Sequence, residues 1–137
     1  MVLAQELAKP TTAQTARRRY LADAVTTTSP AGLVTMLYDG LVSDLERAKA
    51  AIEEGDHRAA NDRLVHAQRI VLELQTGLRP ELWSGGPALA ALYVYFGEQL
   101  VRAKLTRDAA LVAEIHRLVT PLRDAWHQAA VIVRTGS

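Results

Sequence analysis

Apolar residues recur along most of the chain at intervals of three and four positions, which places them on one face of an α-helix. From Pro30 onward this pattern predicts four helices, and no segment shows the sustained period-two alternation of a β-strand. The expected spans are Pro30 to about Glu54, Asp56 to Leu78, Pro87 to about Thr106, and Asp108 to at least Ile132. Helices of about 20–25 residues would be about 30–37 Å long. The expected fold class is therefore all-α.

Residues that favour helix ends lie between these segments. Ser29 can cap the first helix, with Pro30 in the first helical position, where its missing N–H costs nothing. Gly55 is a C-terminal stop signal, because glycine adopts the left-handed conformation that often ends a helix. Asp56 and Asp108 are expected to cap the second and fourth helices. The boundaries are thus predicted from local chemistry alone.

Three residues inside the predicted helices interrupt their regularity. Pro121 lies within the fourth helix, where a proline should kink the helix or end it and let it restart. Gly40 and Gly97 lie in the middle of the first and third helices, each at a cost of about 1 kcal/mol relative to alanine. We expect both glycines where two helices approach closely.

The connections between the first and second helices and between the third and fourth are short, which favours antiparallel neighbours. We therefore predict an antiparallel up-down four-helix bundle over residues 30–137. Residues 1–29 lack sustained periodicity over most of their length and are predicted to be a flexible N-terminal arm.

The helices carry more apolar surface than one small bundle needs to bury. In the first helix, an apolar arc wider than a surface helix needs is formed by Leu33, Val34, Met36, Leu37, Tyr38, Leu41, Val42 and Leu45. In the second helix, the apolar stripe is widened by Val65, Ile70 and Leu72. Residues 88–96 of the third helix read ALAALYVYF, with no charge. Two interpretations stay open: this helix is enclosed by its neighbours, or it forms an apolar groove for a partner's amphipathic helix.

Composition narrows the function classes. The 137 residues carry a net charge of +1, which gives no electrostatic reason to expect nucleic acid or an anionic membrane as a partner. The one basic cluster, Arg17 to Arg19, is interpreted as a solvated part of the arm. The absence of cysteine excludes disulfides and thiolate metal sites. No apolar run approaches the roughly 18 residues that span a bilayer, so we expect no membrane insertion and a cytoplasmic location.

Candidate chemistry is weak. Glu54 and His57 have the spacing of a di-metal bundle, but they straddle a predicted helix boundary, and Glu114 and His116 lie on different faces. No nucleophile elbow, phosphate-binding loop or dinucleotide motif occurs. We therefore expect no enzyme activity, no metal and no cofactor.

Several fragments resemble the FliS family of bacterial flagellin export chaperones, in order and spacing. They are YLADAVTTTSPAGLVTMLYDG at 20–40, LVHAQRIVLEL at 64–74, LYVY at 92–95, LVRA at 100–103 followed by Asp108, and LRDAW at 122–126. The resemblance extends from Tyr20 to about Ala129. The arm before Tyr20 looks longer than is usual in the family, and Lys104 stands where an asparagine is common.

The resemblance implies a cytoplasmic chaperone with an antiparallel four-helix bundle. Such proteins bind the disordered C-terminal segment of new flagellin, prevent its premature polymerisation and help deliver it to the flagellar type III export gate. It implies that the N-terminal arm competes with flagellin. The residues expected in the flagellin groove and the arm are Tyr20, Val25, Met36, Tyr38, Tyr93, Val94, Tyr95 and Phe96. The alternative is a homodimeric structural or assembly bundle whose surplus apolar face binds a second copy.

Overall fold

The protein is seen in a computed structural model that describes residues 30–82 and 84–135, which are helical apart from short connections and contain no strand. The elements are α1 (Pro30–Glu53), α2 (His57–Gly77), a short 3-10 helix (Pro80–Leu82), α3 (Gly86–Thr106) and α4 (Ala109–Thr135). The predicted all-α fold of four helices is confirmed, and the predicted helix ends within these residues agree to about one position.

The chain divides into two compact units. The larger unit is Leu37–Asp124 and contains segments of all four helices. The smaller unit combines residues 1–36 with 125–137, of which 30–36 and 125–135 are described. In this smaller unit Thr35 is buried, and its hydroxyl donates a 2.7 Å hydrogen bond to the Gly32 carbonyl.

Two contacts fix the direction of α1 relative to α2. A Cβ atom on Gly40 would lie 3.1 Å from Cδ1 of Ile70, and one turn later on α1 Asp44 pairs with Arg63. Position numbers rise along α1 while they fall along α2, so these helices are antiparallel, as predicted. The close approach predicted at Gly40 is confirmed.

The prediction for Gly97 was wrong. Among the residues that the structure describes, a Cβ atom at this position would find nothing within 4 Å, so none of the described helices requires a glycine here. Gly97 lies at the edge of the packed face of α3 rather than within it, and the sequence could not distinguish these two positions.

The predicted caps are confirmed where the structure describes them. Oδ1 of Asp56 accepts a 3.1 Å hydrogen bond from the Ala59 amide. Oδ1 of Asp108 accepts hydrogen bonds from the amides of Ala110 and Leu111 at the start of α4. Gly55 has a φ of 77°, the left-handed conformation expected of a helix stop. Arg107 ends α3 in the same conformation, with a φ of 53°. Ser29 lies outside the described residues.

Pro121 does not end α4, which continues as one helix from Ala109 to Thr135. The predicted alternative of an end and a restart was therefore wrong. A proline removes one backbone donor, and the turns before it are fixed by the buried Val112, Ile115 and Val119. The Thr120 hydroxyl, next to the proline, donates a 2.8 Å hydrogen bond to the carbonyl of His116 one turn earlier in the same helix.

The core of the larger unit is built from apolar residues at spacings of three and four. Its fully buried large side chains are Tyr38, Leu41, Leu45, Leu64, Val71, Tyr93, Phe96, Leu100, Val112, Ile115 and Val119. Each helix contributes at least two of them, so the core forms only when all four segments pack together. This packing fixes which face of each helix points outward within the larger unit.

Candidate partner-binding surface

The start of α3 is held in place by a close contact between Gly86 and Pro80. A Cβ atom on Gly86 would lie 2.3 Å from the Pro80 carbonyl oxygen, far inside contact distance, so only glycine fits. Pro87 follows in the first turn, where its missing N–H leaves no hydrogen bond unmade. The 3-10 helix therefore packs directly against the start of α3.

The inner face of α3 is fully used by the core. Its buried residues are Gly86, Leu89, Tyr93, Phe96, Leu100 and Ala103, which recur every three or four positions and so share one face. The apolar run at 88–96 therefore supplies one strip of core, and its remaining residues lie elsewhere on the helix.

The opposite face of α3 is also largely apolar and is exposed. We call it the α3 stripe, and it consists of Ala91, Val94, Glu98, Val101 and Leu105. Val94, Val101 and Leu105 are 48%, 41% and 76% exposed. The spacing of 3, 4, 3 and 4 residues matches the seam of a coiled coil, and the stripe is about 21 Å long. One face of the helix is thus enclosed by its neighbours and the opposite face is exposed, and the groove for a partner's helix stays a prediction.

Three of the predicted groove residues lie in the core instead. Tyr38 and Phe96 are fully buried and Tyr93 is 2% exposed, because each falls on the inward face of its helix. The rings of Tyr38 and Tyr93 are 6.5 Å apart, and their phenolic oxygens share a hydrogen bond of 2.8 Å. These side chains therefore fix α1 against α3 and offer no surface in this structure.

The other predicted residues are placed differently. Val94 is exposed in the α3 stripe, and Tyr95 is half-buried beside it, with its ring 6.1 Å from that of Phe96. Met36 is 57% exposed and belongs to the smaller unit, where Leu33 is also exposed. Tyr20 and Val25 lie outside the described residues. Contact of any of these residues with a partner stays a prediction.

The tyrosine pair has a clear electrostatic consequence. Burial raises the pKa of the Tyr93 phenol above its ordinary value, and the hydrogen bond to Tyr38 raises that pKa further. The phenol therefore stays protonated throughout the physiological range, and it acts as a structural hydrogen-bonding group.

A buried carboxylate that the sequence did not indicate links α1 and α2. The Asp44 side chain is 3% exposed, and its Oδ1 accepts a 3.0 Å hydrogen bond from Arg63 while its Oδ2 contacts Nδ1 of His66. The partners are 19 and 22 residues away, a separation that helical periodicity does not reveal. His116 likewise meets Glu46 at 3.0 Å, 70 residues away.

The described residues contain no group of three or more metal-ligating side chains. Among the same residues, no helix is both long and apolar enough to cross a membrane.

Exposed apolar side chains also occur outside α3. In the larger unit they are Leu72 on α2, Leu82 on the 3-10 helix and Leu118 on α4, and in the smaller unit Leu33 and Met36 on α1 and Val131 and Ile132 on α4. Of the three residues predicted to widen the stripe of α2, Ile70 is buried, Val65 is half-buried and Leu72 is exposed. Single exposed apolar residues are common on protein surfaces, whereas a regular row of them is not. The α3 stripe is therefore the candidate binding surface.

Comparison with known proteins supports a binding role. A family model described as "Flagellar protein FliS" matches residues 12–133. A flagellar secretion chaperone FliS of Bacillus subtilis (strain 168) is 36% identical over 110 residues, covering 80% of this chain and 82% of the relative. The protein of the same name from Salmonella typhimurium is 37% identical over 109 residues, covering 77% and 79%. That of Escherichia coli (strain K12) is 33% identical over 110 residues, covering 77% and 79%.

Proposed function

Because this chain belongs to the FliS family of flagellar secretion chaperones, we propose that its client is the disordered C-terminal segment of flagellin. The chaperone binds that segment in the cytoplasm, prevents premature polymerisation and presents it to the flagellar type III export gate. The binding is non-covalent, so the protein needs no catalytic residue and no cofactor.

The observation that carries this proposal is the α3 stripe. A core strip and an exposed apolar strip lie on opposite faces of one helix, so packing of the core strip sets the position of the exposed strip before any partner binds. A segment that polymerises through amphipathic helices must have its apolar face covered to stay soluble. A coiled-coil spacing of exposed residues is the surface that accepts such a helix.

The size of the stripe suits a helical part of the client. At about 21 Å it matches about 15 residues of helix, or four turns. A disordered segment loses conformational entropy when it folds on binding, and this loss lowers its affinity for a given contact area. Because the chaperone surface is already folded, only the client loses conformational entropy on binding.

The test is to place a charge in the stripe. Val94→Asp and Val101→Asp should each weaken binding of the flagellin C-terminal segment about 10–100-fold in calorimetry, because an apolar contact is replaced by a desolvated carboxylate. Leu82→Asp is the matched control, since Leu82 is 73% exposed but lies on the 3-10 helix, outside the stripe. Unchanged affinity in the folded stripe variants, or an equal loss in the control, would contradict the proposal.

We also propose that the N-terminal arm, through Tyr20 and Val25, competes with the client. The proposal rests on the family resemblance alone. Deletion of residues 1–24 should then strengthen flagellin binding, measured by calorimetry against the full chain. Unchanged or weaker affinity would count against competition by the arm.

A further inference from the structure

Glu98 is the single charged residue of the α3 stripe and stands at its centre. Ala91 and Val94 lie on one side of it and Val101 and Leu105 on the other, so the row is nearly symmetric about the carboxylate. Glu98 is exposed and makes no ion pair with another residue that the structure describes. An apolar surface with one unpaired charge at its centre discriminates between partners.

The symmetry of the row decides what a second copy of this chain would meet. In an antiparallel pair of α3 stripes related by a two-fold axis, Leu105 faces Ala91 and Val101 faces Val94. Glu98 then faces Glu98 of the other copy. A parallel pair in register also opposes the two carboxylates. Both symmetric arrangements therefore place like charges together at the centre of an otherwise apolar contact, which is unfavourable.

Arg102 does not remove this repulsion. It follows Glu98 by one turn and lies at the flank of the stripe, so it is not part of the central row. A second copy brings one Arg102 with each Glu98, and the central contact remains carboxylate against carboxylate.

We infer that Glu98 determines the specificity of this surface: it disfavours a second copy and selects a helix with Lys or Arg between two pairs of apolar residues. The inference rests on the proposed function insofar as the client docks as a helix on the α3 stripe. Charge complementarity explains this preference for one partner helix over another. A Lys or Arg facing Glu98 forms an ion pair in a partly desolvated contact, whereas an Asp or Glu at the same position is repelled. This charge pattern also argues against the homodimer alternative.

Two designed peptides test the selection directly. Both are 21-residue amphipathic helices with leucine at the facing positions, identical except for Lys or Glu at the central one. The protein should bind the Lys peptide about tenfold more tightly than the Glu peptide at low salt, and the difference should shrink at high salt. Glu98→Lys should reverse the preference, and Glu98→Gln should reduce it to within about twofold.

A matched variant controls for nonspecific charge effects. Glu73 is an exposed glutamate on α2, outside the stripe, and Glu73→Lys should leave the preference for the Lys peptide unchanged. Equal affinity for both peptides, failure to bind either one, or the same shift in the Glu73 variant would overturn the inference.

The oligomeric state gives an independent reading. Sedimentation equilibrium should find the unmodified protein monomeric at concentrations where Glu98→Leu dimerises, with Glu73→Leu as control. A stable dimer of the unmodified protein that Val101→Asp dissociates would overturn the inference.

Flagellin binding separates this inference from the proposed function. If the flagellin segment binds through Val94 and Val101 but responds equally to Glu98→Lys and Glu73→Lys, only the specificity inference fails. If flagellin does not bind while the peptides show the charge preference, only the proposed client is wrong.

Discussion

Removal of one hydroxyl from the core tests whether the tyrosine pair holds α1 against α3. In Tyr93→Phe the ring stays and the 2.8 Å hydrogen bond to Tyr38 is lost. A buried hydrogen bond contributes about 0.5–1.5 kcal/mol net to the free energy of unfolding. With both rings at most 2% exposed, water does not replace the bond, and we expect a loss of about 1 kcal/mol in the free energy of unfolding.

The double variant separates the hydrogen bond from the loss of either hydroxyl. Because Tyr38→Phe and Tyr93→Phe remove opposite ends of the same bond, the combined loss should be smaller than the sum of the single losses, by about 1 kcal/mol. Urea denaturation followed by far-UV circular dichroism measures all four proteins. Strict additivity, or an unchanged midpoint in Tyr93→Phe, would refute the structural role of the pair.

The pH dependence of stability in Tyr93→Phe provides a second test of the buried tyrosine pair. The pKa of Tyr93 in the folded protein is raised above the ordinary value of about 10, so the stability from this phenol is fully present below about pH 10. Above that pH the unfolded state loses its proton first, and stability falls by up to about 1.4 kcal/mol per pH unit. Tyr93→Phe should reduce that slope relative to the unmodified protein, and equal slopes would contradict the assignment.

Three further predictions concern the backbone of the helices, each measured by urea denaturation. Gly97→Ala should stabilise the protein by up to about 1 kcal/mol, because the new Cβ has open space around it. Gly40→Ala should stabilise it less, because its Cβ would lie 3.1 Å from Ile70. Equal gains in the free energy of unfolding would contradict the packing at Gly40. Asp56→Ala should cost about 1 kcal/mol through loss of the α2 cap, and no loss would contradict that cap. Arg107→Gly should stabilise by about 1 kcal/mol because its φ of 53° strains a side chain; destabilisation would show that the arginine has another structural role.

Helix ends were predictable from the sequence because they depend on nearby residues. A carboxylate at Asp56 or Asp108 bonds to amides two or three positions later, and Gly55 adopts its conformation without help from distant residues. The four-helix architecture also followed from the sequence, because the apolar spacing and the short connections both favour it.

The candidate surface was only partly predictable, because periodicity gives the faces of a helix but not its neighbours. In the run at 88–96 every face is apolar, so the sequence could not tell that Tyr93 and Phe96 face the core and Val94 the exterior. The other apolar residues of the α3 stripe, Val101 and Leu105, follow the charged Glu98, so no uninterrupted apolar run marked them in the sequence. Only the packing of α3 shows that these residues share one exposed face.

Contacts between distant residues were not predictable from the sequence. Asp44 lies among apolar residues of α1, and its partners Arg63 and His66 look like ordinary surface residues of α2. Their pairing depends on the direction and register of two helices, which no local pattern specifies. The space around Gly97 is unknown from the sequence for the same reason.

The central claim is that this protein is a chaperone that binds flagellin through a surface kept free in the monomer. Light scattering of the full chain, alone and mixed with the flagellin C-terminal segment, tests it most directly. We predict a monomer that becomes a complex of one chaperone with one segment. A dimer whose mass does not change when the flagellin segment is added would contradict the claim.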